Sequence, residues 1–390
     1  MILGYYYHIP ICQNNGRLYV PGYLGIFLDA LASEVQVLYL FMHEGNQQQI
    51  AEADYELQQS NIIFISLGNI SPAWHRHLFH KKILSKASPV AEICDAIIIR
   101  APTPLAPFFK NDLGKPRLIF MIVGDYLESA NHFKIKNLRD WVMIQYLKRN
   151  DFLFRKVMRS ADVLVNSPSL LNKYKHLGKT IHLIRTTTLT QHDFFERNDT
   201  CENNTIELLY TGRIEAAKGL FELLASLAQL RSLHLDVRLN IVGWEADSKK
   251  TIEKALLNKA IELRVEKYII FHGRKKIGQA LNDMYRKADI YLIPSYHEGF
   301  PRTIWEAMAN SLPVITTCVG GIPDYLTNNE NAILVEPKNI TALVKKIILI
   351  IDNRDLRTKL IKNGYLLAKQ NTIEIQTNSM INVIEKLLID

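Results

Sequence analysis

The sequence predicts an α/β protein built from two Rossmann-like parallel-sheet domains in tandem, facing across a cleft. Three observations carry that prediction. Short β-branched runs alternate with stretches of helical spacing, the pattern of parallel strands joined by crossover helices. The alternation stops once, in the polar stretch Thr186–Thr205, and then restarts. And at 390 residues the chain is long for one core, since single cores rarely grow past about 250–300 residues.

The elements follow in order. Ile2–Tyr7 reads as a strand, His8–Gly22 as a loop and Tyr23–Ala32 as a helix. Val35–Phe41, Ile62–Leu67, Ala96–Ile99, Leu118–Val123 and Asp162–Asn166 are short apolar runs bounded by turn or charged residues, each a strand. Thr186–Thr205 carries Gln191, His192, Asp193, Glu196, Asn198 and Asp199 with no periodic apolar face, and reads as a linker. The second series places strands at Glu207–Tyr210, Arg238–Val242, Tyr268–His272, Ile290–Pro294 and Val314–Thr316. Helices are expected at Gly219–Ser232, Lys249–Leu263, Ile277–Lys287 and Arg302–Ala309. The predicted organisation is a first domain over residues 1–190, a linker over 191–205 and a second domain over 206–370. A C-terminal helix within 371–390 is expected to pack back on the first domain. In such sheets ligands bind beyond the carboxyl ends of the strands.

Composition narrows the class. With 48% apolar and 22% charged residues the chain is an ordinary globular protein, not a disordered one. The N-terminus lacks a basic n-region and is broken by His8 and Pro10, so no signal peptide is expected. No run approaches the ~18 apolar residues of a membrane span. Cys12, Cys94, Cys201 and Cys318 have neither metal-like nor disulfide-framework spacing, which points to free thiols and a cytoplasmic location. The net charge of +8 is uneven: Ala73–Lys175 holds 18 Lys and Arg against 8 Asp and Glu. Trp74, Phe79, Phe133, Trp141, Tyr146, Phe152 and Phe154 interleave with those charges. The segment is either a solvated basic face or a surface for anionic membrane; no nucleic-acid motif accompanies it.

Four segments can carry chemistry. In Ile290–Asn310, a strand ends at Pro294, a loop carries Glu298 and Gly299, and Pro301 sits where a helix begins. Glu298 precedes that terminus and Glu306 lies inside the helix. A helix N-terminus favours phosphate, and carboxylates there accept hydrogen bonds from ribose or hexose hydroxyls. In Tyr210–Gly219, Gly212 follows a strand, and Arg213 and Lys218 straddle the loop to the next helix. Both cations suit a diphosphate, and they would stabilise charge on a departing nucleotide. Gly243 closes a strand in Asn240–Glu245, and Gly273 and Arg274 close another. Glycine at a strand end allows close approach to the backbone, and Arg274 could edge a nucleobase. Val319–Asp324 is a tight turn with either a structural or a ligand role.

Together these segments resemble the retaining glycosyltransferases of family 4, from about Asp162 to Lys362. The resemblance implies a GT-B fold and a nucleotide-diphosphate sugar as donor and co-substrate, with no other cofactor. It implies that Arg213 and Lys218 bind the donor diphosphate, that Glu298 contacts the donor sugar and Glu306 the ribose. Backbone amides near Phe300, Pro301, Arg302 and Thr303, with Gly299, would hold sugar and phosphate oxygens. It further implies retention of configuration, no metal and no protein nucleophile, the leaving phosphate helping to deprotonate the acceptor. The first half departs from the family pattern. Gly124-Asp125 stands where a histidine is common, Arg100 occupies another histidine position, and Pro21-Gly22 replaces paired glycines. Gly22, Arg100 and Asp125 are the acceptor-side candidates: Asp125 orients an acceptor hydroxyl or is a turn residue, and Arg100 binds an acceptor phosphate or is a surface arginine. Gly243 is followed by Trp244, and Asn331 stands at a common glycine position.

The expected activity is therefore hexosyl transfer to a carbohydrate or lipid-linked acceptor in polysaccharide or glycolipid assembly, peripheral to the inner face of a membrane. No nucleic-acid partner is expected. Alternatives are a nucleotide-sugar epimerase on the same fold and a non-catalytic binding protein. A dinucleotide-dependent oxidoreductase needs a G-x-G-x-x-G fingerprint after the first strand, which His8–Gly22 lacks.

Overall fold

The computed structural model describes residues 1–46, 53–109, 116–124, 138–247 and 249–389. The chain divides into two compact units, Met1–Thr186 with Ile373–Asp390, and Thr187–Thr372.

Unit 1 holds β1 (Ile2–Tyr6), β2 (Cys12–Asn14), β3 (Arg17–Val20), β4 (Val37–Glu44), β5 (Tyr55–Glu56) and β6 (Ile62–Asn69). It continues with β7 (Ala96–Ala101), β8 (Arg117–Ile122), β9 (Asp162–Val165) and β10 (Thr180–Leu183). Seven of these form one sheet in the order β10-β9-β8-β7-β1-β4-β6. Its pairs are parallel, and the strand order reverses between β1 and β7. Side chains alternate to two apolar layers: Tyr6, Ile97 and Ile99 feed one, Leu3, Tyr5 and Ile98 the other. Burial on both faces is why these strands read as continuous apolar runs. The helix Ile373–Ile389 closes the second layer with Met380, Ile381, Ile384 and Leu387.

The segment expected as a loop, His8–Gly22, instead contains the antiparallel hairpin β2–β3, extended by β5. Its turn residues Asn15 and Gly16 both have positive φ, 49° and 76°. An Asn-Gly pair is the favoured two-residue hairpin turn, so the signal was present in the sequence. The short strands β5 and β10 also went unpredicted.

Unit 2 holds β11 (Ile206–Thr211), β12 (Val237–Val242), β13 (Ile269–Gly273), β14 (Ile290–Ile293), β15 (Val314–Thr317) and β16 (Ile333–Val335). The sheet runs β13-β12-β11-β14-β15-β16, parallel throughout, and reverses between β11 and β14. Counted from β11 this is the Rossmann order 3-2-1-4-5-6, whose reversal point is where ligands bind. Helices Ile340–Asp352 and Arg354–Lys369, not anticipated from the sequence, cover this sheet with Leu343, Ile347, Ile350 and Leu360.

The polar stretch expected as a linker, 191–205, is packed onto unit 2. Arg197 donates to the carbonyls of Arg286 and Ala288 at 3.1 and 2.7 Å, and the Phe195 amide to Ala309 at 2.9 Å. Asp199 is buried and paired with Arg357 at 2.6 Å and Arg354 at 2.9 Å. Its polarity is that of a segment whose side chains satisfy helix ends and a buried ion pair, which composition does not distinguish from solvation.

Candidate active site

The reversal point of unit 2 gathers the motif residues. Gly219, with φ of +70°, turns the chain from β11 into the helix Leu220–Ser232. A Cβ there would lie 2.1 Å from the Pro294 carbonyl oxygen, so only glycine lets this turn lie against the end of β14. The Tyr296 amide donates to the Ala217 carbonyl at 2.8 Å, clipping the two loops together. Across that clip the Lys218 ammonium meets the Glu298 carboxylate at 2.6 Å. The two side chains are only 17% and 11% exposed. Arg213 points to the surface, 57% exposed, and pairs with Glu215 at 3.0 Å.

Glu298 is held from behind by Val319–Asp324. Gly320 has φ of +55°, and a Cβ on it would fall 1.7 Å from the Glu298 carbonyl oxygen. The Gly321 amide donates to the Gly299 carbonyl at 2.7 Å. This turn therefore has a structural role, as the seat of the Glu298 loop. Gly299 itself has nothing within 4 Å of where a Cβ would stand, so open space lies over it. Phe300 stacks on Trp305 at 4.4 Å and meets Tyr325 edge-on at 5.0 Å, which anchors the loop's far side. Pro301 precedes the helix Arg302–Ala309, whose N-terminus has no side-chain cap. Its first-turn amides and partial positive charge are thus uncompensated by a protein carboxylate.

Glu306 lies inside that helix, 6% exposed. Tyr285 donates to its Oε2 at 2.8 Å and Thr188 to its Oε1 at 3.3 Å. Arg302 donates to the same Thr188 hydroxyl at 3.4 Å. Because the single Tyr285 proton goes to Glu306, the 2.7 Å contact between Thr211 and Tyr285 must be donated by Thr211. Tyr291 donates in turn to the Thr211 carbonyl at 3.3 Å, and the Thr303 side chain lies beside its hydroxyl. Burial, and then the neighbouring Glu306, push the Tyr285 hydroxyl well above the usual phenol range, so it stays a donor. A carboxylate offers about four lone-pair directions, so Glu306 keeps acceptor capacity beyond its two protein donors.

Two tyrosines tie the set together. Glu298, Glu215 and Arg213 all act on the buried Tyr210 hydroxyl, and Glu306 and Glu298 both act on Tyr291. The structure thus brings Arg213, Lys218, Glu298 and Glu306 to one end of β11 and β14. The sequence reading missed Thr188, Tyr210, Thr211, Tyr285 and Tyr291. Tyr210 and Tyr291 in apolar strands and Tyr285 in a helix read as core, and Thr188 is 118 positions from its partner Glu306.

The remaining glycines sit side by side on the adjacent strands. Gly212 has φ of +149°. Its amide donates to Val242 and that of Gly243 to Gly273, both at 3.0 Å. The close approach expected at Gly243 is made by protein backbone: a Cβ there would stand 1.8 Å from the Gly212 carbonyl oxygen. Glu245 has a capping role, accepting from the amides of Ile252 and Glu253 at 2.9 Å. The Arg274 guanidinium lies 4.7 Å over the Trp244 ring.

In unit 1 the acceptor-side candidates are placed differently. The Gly22 amide begins a helix and donates to Asp54 at 2.8 Å. Arg100, next to last in β7, packs its guanidinium over three aromatic rings rather than standing free at the surface, 4.8 Å from the Tyr7 centroid. Asp125 lies outside the described residues.

Comparison with known proteins follows the same division. Residues 193–367 match the family described as glycosyl transferases group 1. The chain is 26% identical over 308 residues to the capsular polysaccharide biosynthesis glycosyltransferase CapM of Staphylococcus aureus, covering 74% of this chain and 72% of that protein. Its fold is similar to sucrose-phosphate synthase of Thermosynechococcus elongatus, with a TM-score of 0.76, 17% identity, and 100% and 99% of the two chains covered. It is also similar to Anabaena Alr3699/HepE in complex with UDP, with a TM-score of 0.73, 17% identity, and 99% and 100% covered. Residues 193–367 thus match the glycosyl transferases group 1, and the chain is a glycosyltransferase of the GT-B fold.

Proposed function

We propose that this chain transfers a hexosyl group from a nucleotide-diphosphate sugar to an acceptor hydroxyl, with retention of configuration and without a metal, in polysaccharide or glycolipid assembly. The observation that carries the reading is the Lys218–Glu298 pair at the reversal point of the unit 2 sheet, beside the open space over Gly299. A diphosphate there would meet Lys218, Arg213 and the uncapped helix start at Arg302. Those groups stabilise the charge that grows on the leaving nucleotide as the glycosidic bond breaks. Glu298 Oε1 is engaged by Lys218, which leaves its other oxygen to accept from a donor-sugar hydroxyl. Glu306, held by Tyr285 and Thr188, accepts from the ribose hydroxyls. Attack is from the same face, the acceptor proton passing to the departing phosphate oxygen.

The name of CapM supports polysaccharide assembly, and the UDP in the HepE complex puts uridine nucleotides first in a donor screen. The surface of unit 1 supports an anionic membrane as the place of work. Trp74, Leu78, Trp141, Val142 and Phe152 are 62%, 66%, 49%, 53% and 68% exposed, among Lys81, Lys82, Lys148 and Arg149. Among the described residues no helix is long and apolar enough to cross a membrane, so such binding would be peripheral.

The test is thermal stabilisation by UDP, GDP and ADP, followed by transfer from the matching sugar nucleotide. One nucleotide should raise the melting temperature, since a ligand of the native state stabilises it by mass action. Lys218→Met should abolish most of that shift, and Glu298→Gln should keep the shift and lose transfer. Unchanged transfer by Glu298→Gln would overturn the assignment. Donor turnover with no acceptor present would point to the epimerase instead.

A further inference from the structure

The reversal point of the unit 1 sheet, between β1 and β7, carries a cluster of cationic groups that the donor chemistry does not use. Tyr6 pairs with Phe41 on β4 and with Ile99 on β7, so Tyr7, His8, His43 and Arg100 follow together at the carboxyl ends of these strands. Arg76 reaches the same place from the helix Ala73–Leu78, its Nη1 3.5 Å from the His8 carbonyl oxygen. Arg76 and His43 are 8% and 1% exposed. The Nε atoms of both arginines, Nδ1 of His8 and Nε2 of His43 are buried with no hydrogen-bond partner among the described residues.

No carboxylate among the described residues forms an ion pair with Arg76 or Arg100. Their neighbours are neutral: Tyr5, Tyr7, Tyr23 and Phe27 about Arg100, Tyr6 and Tyr146 about Arg76. Burial first, then Arg76, Arg100 and His43, hold the His8 imidazole down to about 4. Arginine is almost never buried unless paired, and an uncompensated buried charge costs several kcal/mol in general. A buried Arg76 and a half-buried Arg100, their Nε donors unpartnered and no carboxylate among the described residues paired with them, make a place that suits an anionic ligand. Planar forks with several donors suit phosphate oxygens, and a neutral imidazole adds a donor.

The basic character continues beyond His43. Its Nδ1 contacts the Gly68 carbonyl oxygen at 3.2 Å, and His43 lines a cavity of about 340 Å³ with Ser71, His75, Lys82 and Lys86. Lys82 and Lys86 thus add further cations on the His43 side of the cluster.

We propose that Arg76 and Arg100, with His8 and His43, form a phosphoryl-binding site in unit 1, and that the acceptor of this enzyme carries a phosphate ester at that site. Naming it the acceptor's site rests on unit 2 holding the donor; the anion site does not.

The test is isothermal titration of the full chain with inorganic phosphate, at ionic strength held constant with chloride. Lys218→Met, which weakens any phosphate binding at the reversal point of unit 2, should still bind one phosphate, because the site proposed here belongs to the other unit. Arg76→Gln and Arg100→Gln should each weaken binding by about tenfold or more, as the loss of a charge-assisted contact would. Arg100→Lys should fall between. Equal affinity in wild type and in both glutamine variants, or heats no different from a chloride control, would overturn the proposal. If a glutamine variant does not fold, a wild-type melting temperature that rises with phosphate and not with chloride, and rises less in Arg100→Lys, decides the matter; equal response to both salts overturns it. Competition then assigns the source. Displacement by glycerol phosphate marks a soluble phosphate ester, displacement by phosphatidic acid vesicles and not by glycerol phosphate marks a lipid-borne one, and displacement by neither overturns the site. Failure of the donor reading would show separately, as nucleotide stabilisation unchanged in Lys218→Met.

Discussion

The Lys218–Glu298 pair is the most direct place to test the reading of unit 2, through a double-mutant cycle of Lys218→Met and Glu298→Gln. The pair is short, 2.6 Å, and its side chains are 17% and 11% exposed. Exposed ion pairs contribute about 0–1 kcal/mol, whereas breaking a fully buried one costs about 3–5 kcal/mol. This pair lies between those limits, and we expect a coupling energy of about 1–3 kcal/mol. Each single variant strands one charge against β11 and β14, and the double variant strands none, so it should be more stable than the sum of the singles implies. The assay is urea denaturation followed by tryptophan emission. Trp74 and Trp141 are 62% and 49% exposed in unit 1, so replacing them with phenylalanine should cost little and leave Trp244 and Trp305 to report unit 2. A coupling below about 0.5 kcal/mol, the ordinary error of additivity, would refute the claim that the two charges sit together in a poorly solvated place.

Three further predictions follow from individual contacts. Gly320→Ala, at φ of +55° and 1.7 Å from the Glu298 carbonyl oxygen, should cost unit 2 about 2–4 kcal/mol in urea denaturation. Gly299→Ala, with open space around it, should leave stability within about 1 kcal/mol yet weaken binding of the donor measured by calorimetry. Tyr285→Phe removes the 2.8 Å donor to Glu306 and should cost about 1–3 kcal/mol, read from the same urea transition. His43 gives a pH dependence. Its imidazole, 1% exposed, is held down to about 4 by burial first and then by Arg76, while its unfolded value is near 6.5. The unfolded chain therefore binds the extra proton first. The stability from keeping His43 neutral is fully present above pH ~6.5 and is lost as pH falls toward ~4. Its size is on the order of 3 kcal/mol, and His43→Gln should flatten that part of the stability–pH curve.

The sequence alone determined the fold class and the two sheets' strands in large part, and it singled out the four charged residues that meet at the reversal point of unit 2. These are local signals. β-branched runs, helical spacing, glycine at positive φ and proline at a helix start depend on a residue and its near neighbours. The Asn15-Gly16 turn was equally local and equally legible, although His8–Gly22 read only as a loop. The tertiary structure alone decided which groups share a charge. Polarity made 191–205 read as a linker, yet Asp199 and Arg357 are a buried pair 158 positions apart. In sequence Arg100 reads equally as an acceptor-phosphate ligand or a surface arginine, and Arg76 as any basic residue. Only the fold shows that both lie at one sheet reversal, Arg76 buried and Arg100 half-buried, with no ion-paired carboxylate among the described residues. The physical reason is the range of the interactions. Backbone preference is written residue by residue, while the energy of a buried charge depends on everything the fold packs around it, and on what it leaves unpaired.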